Sequence, residues 1–217
     1  MSRAVKIAVA GTHSTGKTTF IATLERGLTE LGYAVAKVTD LGRQAAERGF
    51  PILHNHTPRS TLWIMTRGIS LELEAEHRSD VVLVDRPVPD ALGYYRAALT
   101  CRDEQPPPVW RDYLSRLARD HAATYDLIFK TELDATIPLG DDKPRDTDLR
   151  FRMLVDHAIT AVLIDLAIPY HGLPPAGHPL AVRLALDHVR DRTRSHYDSL
   201  LGPGEIASSR QRGTAEH

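Results

Sequence analysis

The sequence predicts an α/β protein, a parallel sheet with helices on both faces, and three observations carry that prediction. Apolar runs of strand length recur along the 217 residues, at Val5–Ala10, Tyr33–Val38, Val81–Val84, Leu127–Lys130 and Ala167–Gly172. Between them lie segments whose apolar residues fall three and four apart, the spacing of a helix with one buried face. The first run leads straight into Gly11-Thr12-His13-Ser14-Thr15-Gly16-Lys17-Thr18, a glycine-bounded loop that opens a helix. Strands that alternate with helices run parallel, because a crossover helix returns the chain across one face of the sheet.

In chain order, the loop is followed by a helix over Thr19–Leu31. Another starts after Thr57-Pro58, since proline suits a first helical turn, and shows Leu62, Met65, Ile69 and Leu73 on one face. Its other face, with Arg67, Glu74 and Arg78, reads as solvated. Pro106-Pro107-Pro108 reads as a stiff loop before a helix. Phe151, Leu154, Val155, Ala158, Ile159, Val162 and Leu166 repeat the helical pattern, and Leu180, Leu184 and Val189 support a last helix. Beyond Leu201 the chain turns polar and Gly/Ser-rich, so 1–201 is expected to be one domain and 202–217 a flexible tail.

A formal net charge of −1 argues against a general nucleic-acid surface. Cys101 is the only cysteine, which leaves no intrachain disulfide framework and no thiolate metal cluster. No run approaches the roughly 20 apolar residues that cross a bilayer, and no signal-peptide core is evident, so the expectation is a cytoplasmic protein with no membrane partner.

The loop matches G-x-x-x-x-G-K-[ST] in the strand-loop-helix setting that this motif requires. Gly11 and Gly16 let the backbone curl so that its N–H groups face a phosphate, aided by the dipole of the following helix. Lys17 is placed to reach the β- and γ-phosphates and Thr18 to ligate Mg²⁺. A nucleoside triphosphate is therefore the expected ligand. Its residues are Gly11, Thr12, His13, Ser14, Thr15, Gly16, Lys17, Thr18 and Thr19, with His13 contributing its backbone.

The third strand ends in Asp85-Arg86, at the sheet edge where open α/β folds bind ligands. Asp85 suits Mg²⁺ or the acceptor, and Arg86 suits gripping an anionic or polyhydroxyl acceptor; the plainer reading is an ion pair between strand and helix. Asp40, ending the second strand, either orients an acceptor hydroxyl or caps the next helix. Asp90, Tyr94 and Tyr95 follow Asp85 on a helix and could line an acceptor pocket, with core packing the better account of one tyrosine. The charged segment from Asp141 to Arg152 carries Arg145 and Arg152 seven residues apart, on one face if helical. It reads as a lid bringing countercharge to a phosphoryl transfer, or as a solvated helix start. His54 and His56, flanking Asn55, read as a surface loop.

Together the motifs resemble the P-loop kinases of nucleosides and nucleotides, and more closely the AAA-domain-like family that includes the ribosylnicotinamide kinase part of the bacterial NAD-biosynthesis regulator. The resemblance rests on GTHSTGKTT at 11–19, DLGR at 40–43, DRPVPDALGYY at 85–95, YDLIFK at 125–130 and RDTDLRFR at 145–152. It implies a three-layer P-loop NTPase fold with a five-stranded parallel sheet, a short lid at about 141–152, and ATP with Mg²⁺. It also implies a small-molecule hydroxyl, often on a ribose, as acceptor. Asp40, Arg43, Asp85 and Arg86 would then face the acceptor, and Arg145 and Arg152 would belong to the lid. Asp40, Pro87 and Arg150 depart from the family's usual pattern, all on the acceptor side.

The expected function is thus an ATP-dependent small-molecule kinase with Lys17, Asp40, Asp85 and Arg145 at the chemistry. Arg43, Arg86, Asp90, Tyr94 and Arg152 are expected at the acceptor, and Thr18 and Asp85 at the metal. A homodimer stays open. The rival is a regulatory nucleotide switch or ATPase acting on a protein partner. It calls for a water-activating Glu beside Asp85 or a guanine-reading Asn-Lys-x-Asp, and Asn55 is the only Asn in the chain.

Overall fold

Strand β1 (Val5–Ala10), the apolar run that leads the chain, is buried at all six residues. The computed structural model describes residues 3–133 and 148–194. It adds β2 (Val35–Val38), β3 (Val81–Asp85), β4 (Leu127–Thr131) and β5 (His171–Leu173). All five strands run parallel in the order β2-β3-β1-β4-β5, so β1 is central, as expected. Val9 stands opposite Asp85 and Ala10 opposite Lys130, which brings the carboxyl ends of three strands to one edge. The tail expected at 202–217 and the stretch of lid at 141–147 lie outside the described residues.

The helices are α1 (Lys17–Glu30), α2 (Leu41–Glu47), α3 (Pro58–Glu76), α4 (Val88–Cys101), α5 (Pro108–Ala122), α6 (Leu149–Asp165) and α7 over 178–194. They divide by the alternation of β1. Val5, Ile7 and Val9 pack with Phe20, Ile21, Leu24 and Leu28 of α1 and with Ala181, Ala185 and Val189 of α7. Ala8 and Ala10 face the other way, onto the core shared by α2 to α6. Each large side chain buried in full, such as Phe20 or Leu24, contributes about 1.5–3 kcal/mol. Thr57 and Ser60 form a reciprocal cap that starts α3 at Pro58, and α5 begins at Pro108 behind the stiff proline run. Among the described residues, no helix is long and apolar enough to cross a membrane.

Two expectations are corrected. The second and fifth strands begin later than the apolar runs do, because the preceding helices consume that backbone in their own closure. The Tyr33 N–H donates to Leu28 O at 3.1 Å behind Gly32 (φ 86), and Ile168 N–H donates to Leu163 O at 2.8 Å behind Ala167 (φ 52). The buried face of α3 is turned from the expected stripe: Thr61, Ile64, Met65, Gly68, Glu72 and Ala75 are inside, while Leu73 is 58% exposed. On α7, Leu180 and Leu184 point outward and the small Ala181 and Ala185 pack inward.

The turn of α3 follows from a charge. Lys6 of β1 is 1% exposed, and its ammonium pairs with Glu72 at 3.3 Å and Glu76 at 2.7 Å. His121 meets Glu72 at 2.7 Å, and the Tyr125 hydroxyl donates to Glu72 at 2.8 Å while accepting the Val88 N–H at 3.2 Å. A buried lysine needs such partners, and they fix which face of α3 turns inward.

Candidate functional site

The loop from Gly11 to Thr18 leaves the end of β1 and enters α1, as its sequence requires. At Gly11 (φ 139) a Cβ would stand 2.0 Å from Thr131 Oγ1, so only glycine fits against β4. Gly16 (φ 81) caps α1 without any side-chain hydrogen bond to the helix, leaving its first N–H groups facing outward for an anion. The Thr15 and Thr131 hydroxyls lie 2.6 Å apart, Thr15 also donates to Thr12 O at 3.1 Å, and Thr131 donates to Ala10 O at 3.1 Å. The loop is thereby stitched to β4 and to itself.

Lys17 is 5% exposed, and its ammonium donates to Thr12 O and, at 3.4 Å, to Thr15 Oγ1. Burial, and next the Arg86 charge, hold Lys17 below the usual lysine range, while Asp85 and Asp90 pull the other way. Thr18 and Thr19, on the first turn of α1, are exposed.

Under the loop the end of β3 and the start of α4 supply Asp85, Arg86, Asp90 and Tyr94. The Arg86 backbone (φ 68) turns sharply while its N–H still donates to Val9 O at 3.1 Å. Its guanidinium donates to His13 Nδ1 at 2.9 Å, to the Tyr94 hydroxyl, and to Gly11 O at 3.4 Å, and stacks 5.0 Å over the Tyr94 ring. Asp90 is 1% exposed and accepts the Gly11 N–H at 3.0 Å. Burial pushes its carboxyl above the usual carboxylate range, against the pull of that N–H and of Arg86. Burial likewise raises the Tyr94 phenol. From the first turn of α6, Arg152, 3% exposed, donates to His13 O at 3.1 Å. That helix can come so close because Gly93 of α4 has no side chain: a Cβ there would lie 2.5 Å from Ile159 Cγ1.

Asp85 Oδ1, Asp90 Oδ1 and Arg152 Nε, buried around the loop, have no hydrogen-bond partner among the described residues. Folded proteins rarely leave such atoms orphaned, and here they gather where a ligand would meet them. Asp85 Oδ1 and the hydroxyl of the exposed Thr18 are hard oxygen donors, the chemistry that Mg²⁺ takes.

The sequence placed Asp90 and Tyr94 on an acceptor pocket, but both are buried beneath the loop, with Asp90 holding Gly11. Tyr95, 2% exposed, belongs to the core. Asp40 does not act as a side-chain cap, since its backbone (φ 63) lies outside the extended region that aims a cap at the first amides. Its carboxylate instead meets Arg43 at 3.2 Å, and Arg43 also meets Glu47 at 3.2 Å. Both Asp40 and Arg43 are more than half exposed, and among the described residues no contact joins Asp40 to Asp85 or Lys17. Arg145 lies outside the described residues.

The two histidines of the expected surface loop part ways. His54 stacks on Phe151 at 3.9 Å and meets Asp148 Oδ2 at 3.2 Å, docking the turn at Leu53–Asn55 onto α6. His56 is 4% exposed, correcting the surface reading, and burial followed by the Arg102 charge holds its imidazole down to about 4. Arg102 clamps this loop by donating to the carbonyls of His54 and His56. Sequence reasoning also missed Thr131 and His178, whose ring packs against Gly16. Thr131 stands one residue past the expected end of its strand, at the ligand-binding edge, a signal that was there to use. His178 had none.

Residues 6–179 match the family model described as an AAA domain. No curated protein matches the chain. Among solved structures, it is similar to a thymidylate kinase from Candida albicans, with TM-score 0.60 and 14% identity over 89% of this chain and 94% of that one. A thymidylate kinase from Ehrlichia chaffeensis gives TM-score 0.57 and 14% identity over 85% and 99%. The NadR protein, solved in complex with NR, gives TM-score 0.55 and 17% identity over 79% of this chain and 45% of that chain. At such identities the likeness is one of fold.

Proposed function

This chain belongs to the AAA domain family, and from that premise we propose that it is an ATP-dependent kinase. It would transfer the γ-phosphoryl group to a hydroxyl of a nucleoside, a nucleotide or a nucleoside-like metabolite. The observation that carries the reading is the convergence of the buried Lys17 with Asp85 Oδ1 and Arg152 Nε, both without a hydrogen-bond partner among the described residues, around one loop. Kinase folds among the solved structures support it.

In this reading the loop amides and Lys17 hold the triphosphate, and Lys17 exchanges the Thr12 carbonyl for phosphate oxygen. Mg²⁺ held by Thr18 and Asp85 would supply countercharge to the β- and γ-phosphates. Asp85, or Asp40 from the neighbouring strand, orients the attacking hydroxyl. Arg152 already stands beside the loop to neutralise charge that grows in the transition state, and Arg145 would join it from the lid, excluding water.

A thermal-shift screen of nucleosides and nucleotides with a non-hydrolysable ATP analogue tests the proposal, because a true acceptor stabilises by mass action. A stabilising compound should then be phosphorylated by the wild type, and Lys17→Ala should lose that transfer while keeping its melting temperature. Hydrolysis of ATP at a rate indifferent to every acceptor would favour a switch or ATPase instead.

A further inference from the structure

The three carbonyls at the start of the loop are each occupied by a different cationic side chain. Gly11 O accepts from Arg86 at 3.4 Å, Thr12 O from Lys17, and His13 O from Arg152 at 3.1 Å. These cations come from three elements: the end of β3, the start of α1 and the start of α6. Carbonyl oxygens repel a phosphate, and the amides between them attract it. Turning the oxygens toward cations leaves the loop amides beyond Gly11, whose own N–H donates to Asp90, for the ligand.

Arg86 is the strongest brace. Among the described residues, the hydrogen bonds and ring stacking of its guanidinium all lie in or under the loop: His13 Nδ1, Gly11 O and the Tyr94 hydroxyl and ring. Gly11 and His13 flank Thr12, so Arg86 sets the position of the very carbonyl that receives Lys17. A guanidinium only donates, so His13 Nδ1 accepts and the ring is fixed in orientation. Arg86 also adopts a left-handed backbone that a non-glycine residue takes only when its surroundings require it.

We propose that Arg86 is a positioning residue of the phosphate loop rather than a ligand of the acceptor, bracing Gly11 and His13 while Arg152 secures the His13 carbonyl. The inference rests on the kinase reading for its kinetic consequence, but not for its structural one.

Hydrogen exchange of the unliganded protein reads the structural consequence alone. Arg86→Gln should speed exchange of the amides from Gly11 to Thr15 by about tenfold or more, with the helices unchanged. Unchanged exchange in the loop overturns the proposal, whether or not the protein proves to be a kinase. Calorimetry with an ATP analogue and no acceptor reads the second consequence: Arg86→Gln should weaken binding by about tenfold, while the acceptor KM of an active preparation moves less than about threefold. The reverse pattern, intact analogue binding with a raised acceptor KM, restores Arg86 to the acceptor. Arg86→Lys should not rescue, since one ammonium cannot span the three acceptors. If Arg86→Gln does not fold, His13→Ala removes the ring from the other side and should loosen the same amides, and His13→Asn, whose side-chain oxygen can stand for Nδ1, should restore them. Loop exchange in His13→Ala equal to that of wild type overturns the brace.

Discussion

The Asp90 carboxylate, in the first turn of α4, accepts the backbone N–H of Gly11 at 3.0 Å. It fixes the angle at which the phosphate loop leaves β1, using an amide that is then unavailable to any ligand. What the contact needs is an oxygen, since burial already opposes the charge. Asp90→Asn keeps an oxygen in place and should cost less than Asp90→Ala, which leaves a buried N–H unsatisfied at about 1–3 kcal/mol. Thermal melts and ATP-analogue titrations of the two variants check this, and equal losses would show that the charge is what matters.

Asp85 can be assigned by separating its ligands. If Asp85 serves mainly Mg²⁺, Asp85→Asn should raise the metal requirement and weaken ATP binding; if it serves the acceptor, ATP affinity should hold while kcat falls. Independent titration of metal and ATP decides between them. A variant unchanged in both would leave Asp85 a structural residue.

Gly93→Ala should be among the most damaging single-methyl changes in the chain. The added Cβ would lie 2.5 Å from Ile159 Cγ1 and 2.9 Å from Ile159 Cα, so a rotamer change alone cannot clear it. Pushing α6 away should cost about 1–3 kcal/mol in urea unfolding, and should withdraw Arg152 from His13. Ile159→Ala in the same chain should recover little, because the Cα remains.

His56 makes stability depend on pH. Its imidazole stays neutral in the folded protein until about pH 4, whereas in the unfolded chain it takes a proton near 6.5. Between those values only the unfolded state gains the proton, so this contribution is complete above 6.5 and is lost as pH falls, by about 3 kcal/mol at most. Urea melts should show the gap between wild type and His56→Gln narrowing from pH 7 to pH 4.5. A constant gap would mean that His56 does not titrate differently on folding.

The strands, their parallel course and the phosphate loop were legible because each is written locally, as an apolar run or as spaced glycines and a lysine. What was misread depends on distant partners. Tyr33 and Ile168 look like strand residues until the helices before them claim their amides. The face that α3 buries turns on Glu72, and only Lys6, on another element, explains why Glu72 points inward and carries α3 with it. Arg86 follows Asp85 at the ligand edge, but its left-handed backbone sends the guanidinium under the loop, and no side-chain pattern announces that turn. Asp90 accepts the Gly11 N–H and Thr131 leaves no room for a side chain there, from separate elements, a convergence that exists only in three dimensions.

The Lys6 cluster has a consequence for how many ways this chain can pack. An apolar helix face is forgiving: slid by one turn against a sheet, it loses some contact and finds more. With Lys6 in the middle of that sheet, a slip of α3 strands one ammonium and two carboxylates in oil, at several kcal/mol each. Misdocked arrangements are therefore costly, and α3 has a single address. Because Tyr125 passes the same constraint to the Val88 amide at the head of α4, the address extends to the segment that carries Asp90. A lysine far from any chemistry thus acts as a proofreader for the place where the chemistry would occur.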